Sequence, residues 1–322
     1  MKNKALIHCL VLDNKGGAKS VEFNEALNLN EKKKTIWLHF DYEHQDTNEY
    51  LEQLKLDEIV IDALTTAETR PRITFLDDNI LAALRGINLN ANSNPEDMVS
   101  IRLFVSENLI ITTRKRDLLS VTDILNSFNQ NRGPVSSSDF LIELTYLLTS
   151  RMQDTIDDID ERVSNLEVDI LEESNQQIRN EILLLRKETL VLKRYISPQK
   201  EAVNKLAHVK IDWINDYQKL QIKEIVDSLY RYVEELDTIK DRISYVQEEL
   251  SNKLSEQMNS KMYILSIISA VFLPLGFLTG LLGINVGGIP GAENPKSFSI
   301  FIGILVVLVF IQLVYFKKKK WI

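Results

Sequence analysis

Two stretches near the C-terminus constrain this chain more than anything else in it. Residues 262–282 read MYILSIISAVFLPLGFLTGLL and residues 298–316 read FSIFIGILVVLVFIQLVYF, and neither holds Asp, Glu, Lys, Arg or His. At 1.5 Å per residue the first run makes roughly 31 Å of helix, the thickness of a hydrocarbon core. Two such runs side by side read as transmembrane helices rather than as a buried pair in a soluble core. Tyr263, Tyr315, Phe316 and Trp321 fall near the run ends, where interfacial aromatics gather. Lys261 precedes the first run, Lys317 to Lys320 follow the second, and the connecting loop 283–297 holds only Lys296. Positive charge marks the cytoplasmic side, so the N-terminal body and the basic tail 317–322 are expected inside and the loop outside.

The apolar end is joined to an acidic body. The 322 residues carry 38 Lys+Arg and 46 Asp+Glu, yet residues 262–322 contain one acid, Glu293, and five bases. All of the net negative charge therefore lies before residue 262, which excludes the basic footprint of a nucleic-acid binder. A single cysteine excludes a disulfide framework and Cys-rich metal modules. No phosphate loop, nucleophile elbow or HExxH stands in the chain, and Gly16-Gly17 reads as a turn. The stretch Ala5–Leu12 contains His8 and lacks a small-residue cleavage site, so it reads as a strand and not as a signal peptide.

Short β-branched and aromatic runs recur through residues 1–135: Ala5–Leu12, Thr35–Phe40, Ile80–Leu89, Val99–Val105 and Leu109–Thr113. Helical stretches lie between them, one opening at Asp46 with Glu49 placed for a capping box and one over about 57–66. The expectation is an α+β domain, a mixed sheet with helices. After Gly133-Pro134 the β signals vanish, and residues 138–173, 176–205 and 216–282 read as long helices. Residues 136–261 thus form a helical stalk whose last helix runs into the first apolar run. Ile239, Ile243, Val246, Leu250 and Leu254 recur at three- and four-residue steps, the seam of an oligomer or of a bundle.

Within the stalk, Asp154 to Glu173 holds nine acids and one base, Arg162. This is either a solvated face or a collar that attracts cations near a membrane mouth. Further along, Asp241, Ser244, Glu248, Asn252, Ser255, Asn259, Met262, Ser266, Ser269, Leu273, Gly276 and Gly280 fall on one helical face. Polar and small residues on one face of a spanning helix serve either packing, as in small-xxx-small contacts, or a pore lining. Continuity with Asp241, Glu248 and Asn259 favours the lining. Two spans cannot enclose a water-filled path, so transport implies several copies of the first span in a ring. A transmembrane carboxylate relay has no residues to form it.

The first run ends in Gly283-Ile284-Asn285, and Asn285 stands where a helix leaves the membrane. Its side-chain oxygen can accept a hydrogen bond from a water of a hydrated metal, and Gly283 frees backbone carbonyls at the same mouth. With that exit, two C-terminal spans and a long charged helix, the chain resembles the CorA family of divalent-metal transporters. The family pattern is Gly-Met-Asn, and Ile284 replaces the Met. That replacement, the run Phe272 to Gly291, Thr69-Arg70-Pro71-Arg72, Arg194-Tyr195-x-x-Pro198-Gln199 and Lys320-Trp321 look like the zinc-transporting ZntB-type branch. The resemblance covers essentially the whole chain. It implies a homopentamer with a cytoplasmic funnel, a pore from the first span, both termini inside the bacterial inner membrane, and zinc uptake coupled to protons. It implies Asn285 as the outer selectivity ring and Leu273 as a pore constriction. At Gly276, where magnesium-type members place a threonine, no side chain forms a constriction.

The residues themselves say less about zinc. A tight zinc site takes about four ligands, mostly Cys or His, and His8, Cys9, His39, His44 and His208 all lie outside the spans. The expected cargo is a hydrated divalent ion that Asn285 contacts through its water shell, with no resident cofactor. Magnesium, which keeps its waters readily, fits as well, as do cobalt and nickel. Five copies of Glu293 form an outer ring that concentrates cations, or each Glu293 pairs with Lys296. Asp241 and Glu248 are candidates for the inner part of the path. His39 and Asp41 in HFDYEH alternate as structural strand positions, with a regulatory metal site as the alternative. A membrane-anchored sensor or scaffold is the competing function, and an enzyme comes third.

Overall fold

The computed structural model describes residues 4–67, 70–172, 176–284, 289, 291 and 293–319. Its contacts divide the chain into two units, Met1–Gln247 and Glu248–Ile322.

The first unit opens with β1 (Leu6–Leu12), β2 (Ala18–Ser20), α1 (Phe23–Glu31), β3 (Ile36–Asp41), α2 (Thr47–Gln53) and α3 (Glu58–Thr65). It continues with β4 (Arg72–Leu76), β5 (Asn79–Gly86), β6 (Val99–Val105), β7 (Leu109–Arg114) and α4 (Leu119–Asn129). The strands make one sheet in the order β2-β1-β3-β7-β6-β5-β4. Only β3 and β7 pair in parallel, Ile36 opposite Leu109 through Asp41 opposite Arg114. The rest pair antiparallel, so the sheet is mixed, as expected.

Strand β3 explains the layering. Its sequence IWLHFD is buried on both faces, which is why it reads as a continuous apolar run. Ile36, Leu38 and Phe40 join Phe23, Leu51, Val60 and Leu64 of α1, α2 and α3 in one cluster. The alternate residues Trp37 and His39 point the other way. There the Trp37 ring lies 4.7 Å from that of Phe140 and its Nε1 donates to Thr112 Oγ1 at 2.8 Å. Each fully buried aliphatic side chain contributes about 1.5–3 kcal/mol.

The Gly16-Gly17 turn is structural. Asp13 Oδ1 accepts the Lys15 and Gly17 N–H groups, and Gly16 sits at φ 96° against Asn131, whose carbonyl oxygen is 2.8 Å from where a Cβ would stand. The capping box at Asp46 does not form. Asp46 is already helical at φ −78°, ψ −6° and makes no side-chain cap bond, while its N–H donates to His44 Nδ1 at 3.3 Å.

Three long helices follow, α5 (Ser137–Glu172), α6 (Gln176–Ala207) and α7 (Asp216–Leu282). Within the first unit their cross-links fix the directions. Arg162 of α5 reaches Glu181 and Glu188 of α6, and only residues 173–175 separate the two helices, so these two run antiparallel. Lys193 of α6 pairs with Asp237 of α7, and Arg186 bonds Gln247, again antiparallel. Gln218 of α7 holds Ser138 and Asp139 near the start of α5, and Arg242 holds Asp160 and Glu167 further along it, so α5 and α7 are parallel. Ile239, Ile243 and Val246 are buried within this chain and form a seam of its own bundle, whereas Leu254 is exposed. Helix α6 docks on the sheet through Gln199, whose Oε1 accepts the Arg85 N–H at 2.7 Å and whose Nε2 donates to the Arg85 carbonyl at 3.1 Å. The Arg85 guanidinium lies 4.0 Å from the Tyr195 ring centroid. The Tyr195-x-x-Pro198-Gln199 segment therefore joins helix to sheet.

The second unit contains the rest of α7 and α8 (Ser297–Lys318). Both helices are long and apolar enough to cross a membrane.

Candidate functional site

The acidic helix carries its charge in two ways. Asp160 and Glu167 are held by Arg242 at 2.5 and 2.7 Å. Arg162 takes Glu181 and Glu188 from α6, each at 2.7 Å, and its own neighbour Asp158 at 3.5 Å. Burial pulls the Arg162 pKa down, and the hydrogen bonds it donates to Glu181 and Glu188, together with their charges, outweigh that and raise it. Burial, helped by the charges of Glu96 and Glu181, raises the Glu188 pKa against the pull of Arg162. The hydrogen bond from Arg242 holds Glu167 below the usual carboxylate range. Asp154, Asp157, Asp158, Glu161 and Asp169 remain on the exposed side. Glu173 lies outside the described residues.

The histidines are not gathered for metal. His39 is buried, its Nδ1 is 2.7 Å from Thr112 Oγ1, and burial, then Arg114 and His8, depress its pKa well below 6.5. His44 spends its Nδ1 on the Asp46 backbone. Cys9 is a buried thiol whose pKa burial pushes up to about 11. Among the described residues no group of three or more His, Cys, Asp or Glu is placed to hold a metal ion.

In the second unit, partial burial picks out one face of each apolar helix. On α7 the half-covered residues are Ile267, Val271, Pro274, Leu275 and Leu278. On α8 they are Ser297, Phe301, Leu305, Leu308, Val309 and Gln312, with Phe316 buried. Both sets follow three- and four-residue steps, so each is a single stripe. The two helices meet where Gln312 Nε2 donates to the Ala270 carbonyl at 3.4 Å.

The polar stripe of α7 lies on the other side. At about 100° per residue, Ser266, Ser269, Leu273, Gly276 and Gly280 sit roughly opposite the half-covered residues. All five are exposed, Leu273 at 73%. A Cβ added at Gly276 or Gly280 would meet nothing within 4 Å, so neither glycine serves packing inside the chain. Ser266 Oγ donates to the Met262 carbonyl at 2.8 Å and Ser269 Oγ to the Leu265 carbonyl at 2.9 Å, which satisfies both hydroxyl protons within the helix. Asn259 and Met262 continue the exposed row, as does Glu248. In the first unit Asp241 is exposed and pairs with Lys240 at 3.1 Å.

At the end of α7, the Gly283 N–H donates to the Thr279 carbonyl at 2.9 Å, and a Cβ at Gly283 would stand 2.8 Å from that oxygen. Glycine is therefore required for this close turn. Ile284 is exposed. Asn285 lies outside the described residues, as do Thr69, Lys320 and Trp321. Glu293 is exposed, and among the described residues no ion pair joins it to Lys296, whose N–H is taken by Asn294. The residue that pattern reading missed is Gln312, the one amide in the second apolar run. Its polarity in lipid was the available signal.

A family described as CorA-like Mg2+ transporter protein matches residues 32–318. The chain belongs to the CorA family. The zinc transport protein ZntB of Pectobacterium carotovorum subsp. carotovorum (strain PC1) is 36% identical over 323 residues, 100% of this chain and 98% of its own length. The structure of the full-length CmaX protein superposes with a TM-score of 0.86 at 34% identity and covers 100% of this chain and 99% of that one. The CorA magnesium transporter from Methanocaldococcus jannaschii shares the fold, with a TM-score of 0.81 at 14% identity over 98% of this chain and 99% of its own. The α+β domain, the long helices and the two C-terminal apolar helices are thus the CorA architecture.

Proposed function

We propose that this chain carries divalent metal ions, zinc foremost, across the bacterial inner membrane through a central path in a homopentamer. The observation that carries the reading is the exposed stripe of Ser266, Ser269, Leu273, Gly276 and Gly280, which α8 leaves uncovered. Copies brought together on that face enclose a path without fixed charge, which suits an ion that keeps its water. Zinc is favoured by the likeness to a zinc transport protein over the whole chain.

In this reading residues 1–135 and 136–261 are the cytoplasmic domain and stalk, 262–282 and 298–316 cross the membrane, 283–297 is external, and both termini are inside. Asn285 forms the outer ring and touches the hydration shell. Leu273 narrows the path, Glu293 concentrates cations at the entrance, and Asn259, Glu248 and Asp241 line the inner part. Proton coupling belongs to the same proposal. The family description favours magnesium as the second reading, and a path without Cys or His ligands suits that ion too.

The test is uptake of zinc, magnesium, cobalt and nickel into proteoliposomes, with and without a pH gradient. Asn285→Ala is expected to lower zinc uptake about tenfold, the loss of a hydrogen bond to a charged, hydrated ion. Undiminished uptake removes Asn285 from the path. Absence of flux for every ion in the unaltered protein leaves a membrane-anchored scaffold.

A further inference from the structure

Pro274 has no N–H, so the carbonyl four residues back, that of Ala270, loses its helical donor, and the proline ring crowds it as well. In water such a carbonyl would be hydrated. In hydrocarbon an unsatisfied carbonyl is costly, and broken helices persist there where a neighbouring group or water supplies the missing bond. The donor present is Gln312 Nε2 of α8, at 3.4 Å from the Ala270 oxygen. Gln312 lies inside the apolar run 298–316, four residues before its end, on the stripe that includes Leu305, Leu308 and Phe316. Its Oε1 is buried and finds no donor among the described residues. The amide thus serves the α7 carbonyl at some cost to itself, which a space-filling residue at this position would not do.

We propose that Gln312 is a positioning residue that latches α8 to the carbonyl freed by Pro274 and thereby fixes the setting of Leu273 on the uncovered face. The proline gives α7 a soft point one residue beyond Leu273, and the amide of α8 decides how far that point turns. The functional part of this inference rests on the transport reading above; the latch does not.

A double-mutant cycle on the full chain tests both parts. Gln312→Met keeps the length and apolar bulk of the side chain and removes the donor. Pro274→Ala returns an N–H to the helix, so that Ala270 no longer needs the donor. Two readouts are taken in lipid nanodiscs or liposomes: the thermal unfolding midpoint, which needs no transport, and the zinc flux at saturating and limiting ion. With Pro274 present, Gln312→Met is expected to lower the midpoint and to cut maximal flux about threefold, the size of a typical interhelical hydrogen bond in a membrane. With Pro274→Ala, the same substitution is expected to change neither. Equal effects of Gln312→Met in both backgrounds overturn the latch, because a general packing role is not rescued by a backbone N–H. A coupling in the midpoint with none in flux overturns the positioning of Leu273. A protein that carries no ion in any form, yet shows the midpoint coupling, sinks the transport reading and leaves the latch standing.

Discussion

In the first unit, many polar groups far apart in sequence are met from within the chain. Arg242 holds Asp160 and Glu167, Arg162 holds Glu181 and Glu188, Gln199 closes on the Arg85 backbone, and Trp37 and His39 share Thr112. In the second unit α8 covers one side of α7, and the side bearing Ser266, Ser269, Gly276 and Gly280 is exposed, with no neighbour among the described residues. The difference separates what folding needs from what assembly needs. A surface that one copy leaves bare, with small residues where a membrane helix would otherwise carry leucine, is built for something outside the single chain.

The contrast can be broken in graded ways. The largest effect belongs to the closed unit. Trp37→Ala empties a site at 0% exposure beneath α5 and is expected to cost about 3–5 kcal/mol of stability, read by denaturant unfolding followed by circular dichroism. A change on the bare side should do the reverse. A side chain at Gly276 meets nothing within 4 Å, so for Gly276→Leu the unfolding midpoint is expected to hold while zinc flux falls about tenfold, because the added bulk narrows the path that this face lines. If the midpoint drops and flux survives, the side is not a shared one.

Acid sharpens the comparison from the other unit. The Arg242 hydrogen bond lowers the Glu167 pKa from its ordinary 4.5. A carboxylate whose folded pKa is depressed contributes stability above its unfolded value and loses it as the pH falls through that range. Stability is therefore expected to decline from about pH 5 downward, and less steeply in Arg242→Met, as measured by unfolding midpoints across that range. Smallest of all, Glu293→Gln is expected to weaken apparent zinc affinity about twofold at low ionic strength and not at high salt.

Much of this was legible in the residues. β6 runs Val99–Val105 as its β-branched pattern states, and the spacing of small and polar residues on α7 marked the face that the structure leaves exposed. Two strands escaped notice, β2 and β4, because they are short and lie at the sheet edges. Asp160 and Glu167 looked like uncompensated charge because their partner Arg242 lies 75 residues or more away in sequence. The Asp46 box failed because spacing says nothing about a backbone already turned into helix. Gln312 stood out by its polarity alone, and its partner, like that of Arg242, lies on another helix.

The two serines on the bare side carry one more implication. With each hydroxyl proton committed to a carbonyl one turn back, what Ser266 and Ser269 turn outward is oxygen lone-pair density alone. Any molecule that meets them finds acceptors and no donors, a surface that welcomes positive species and the hydrogens of their bound water while offering nothing to an anion, although not one formal charge is written into it.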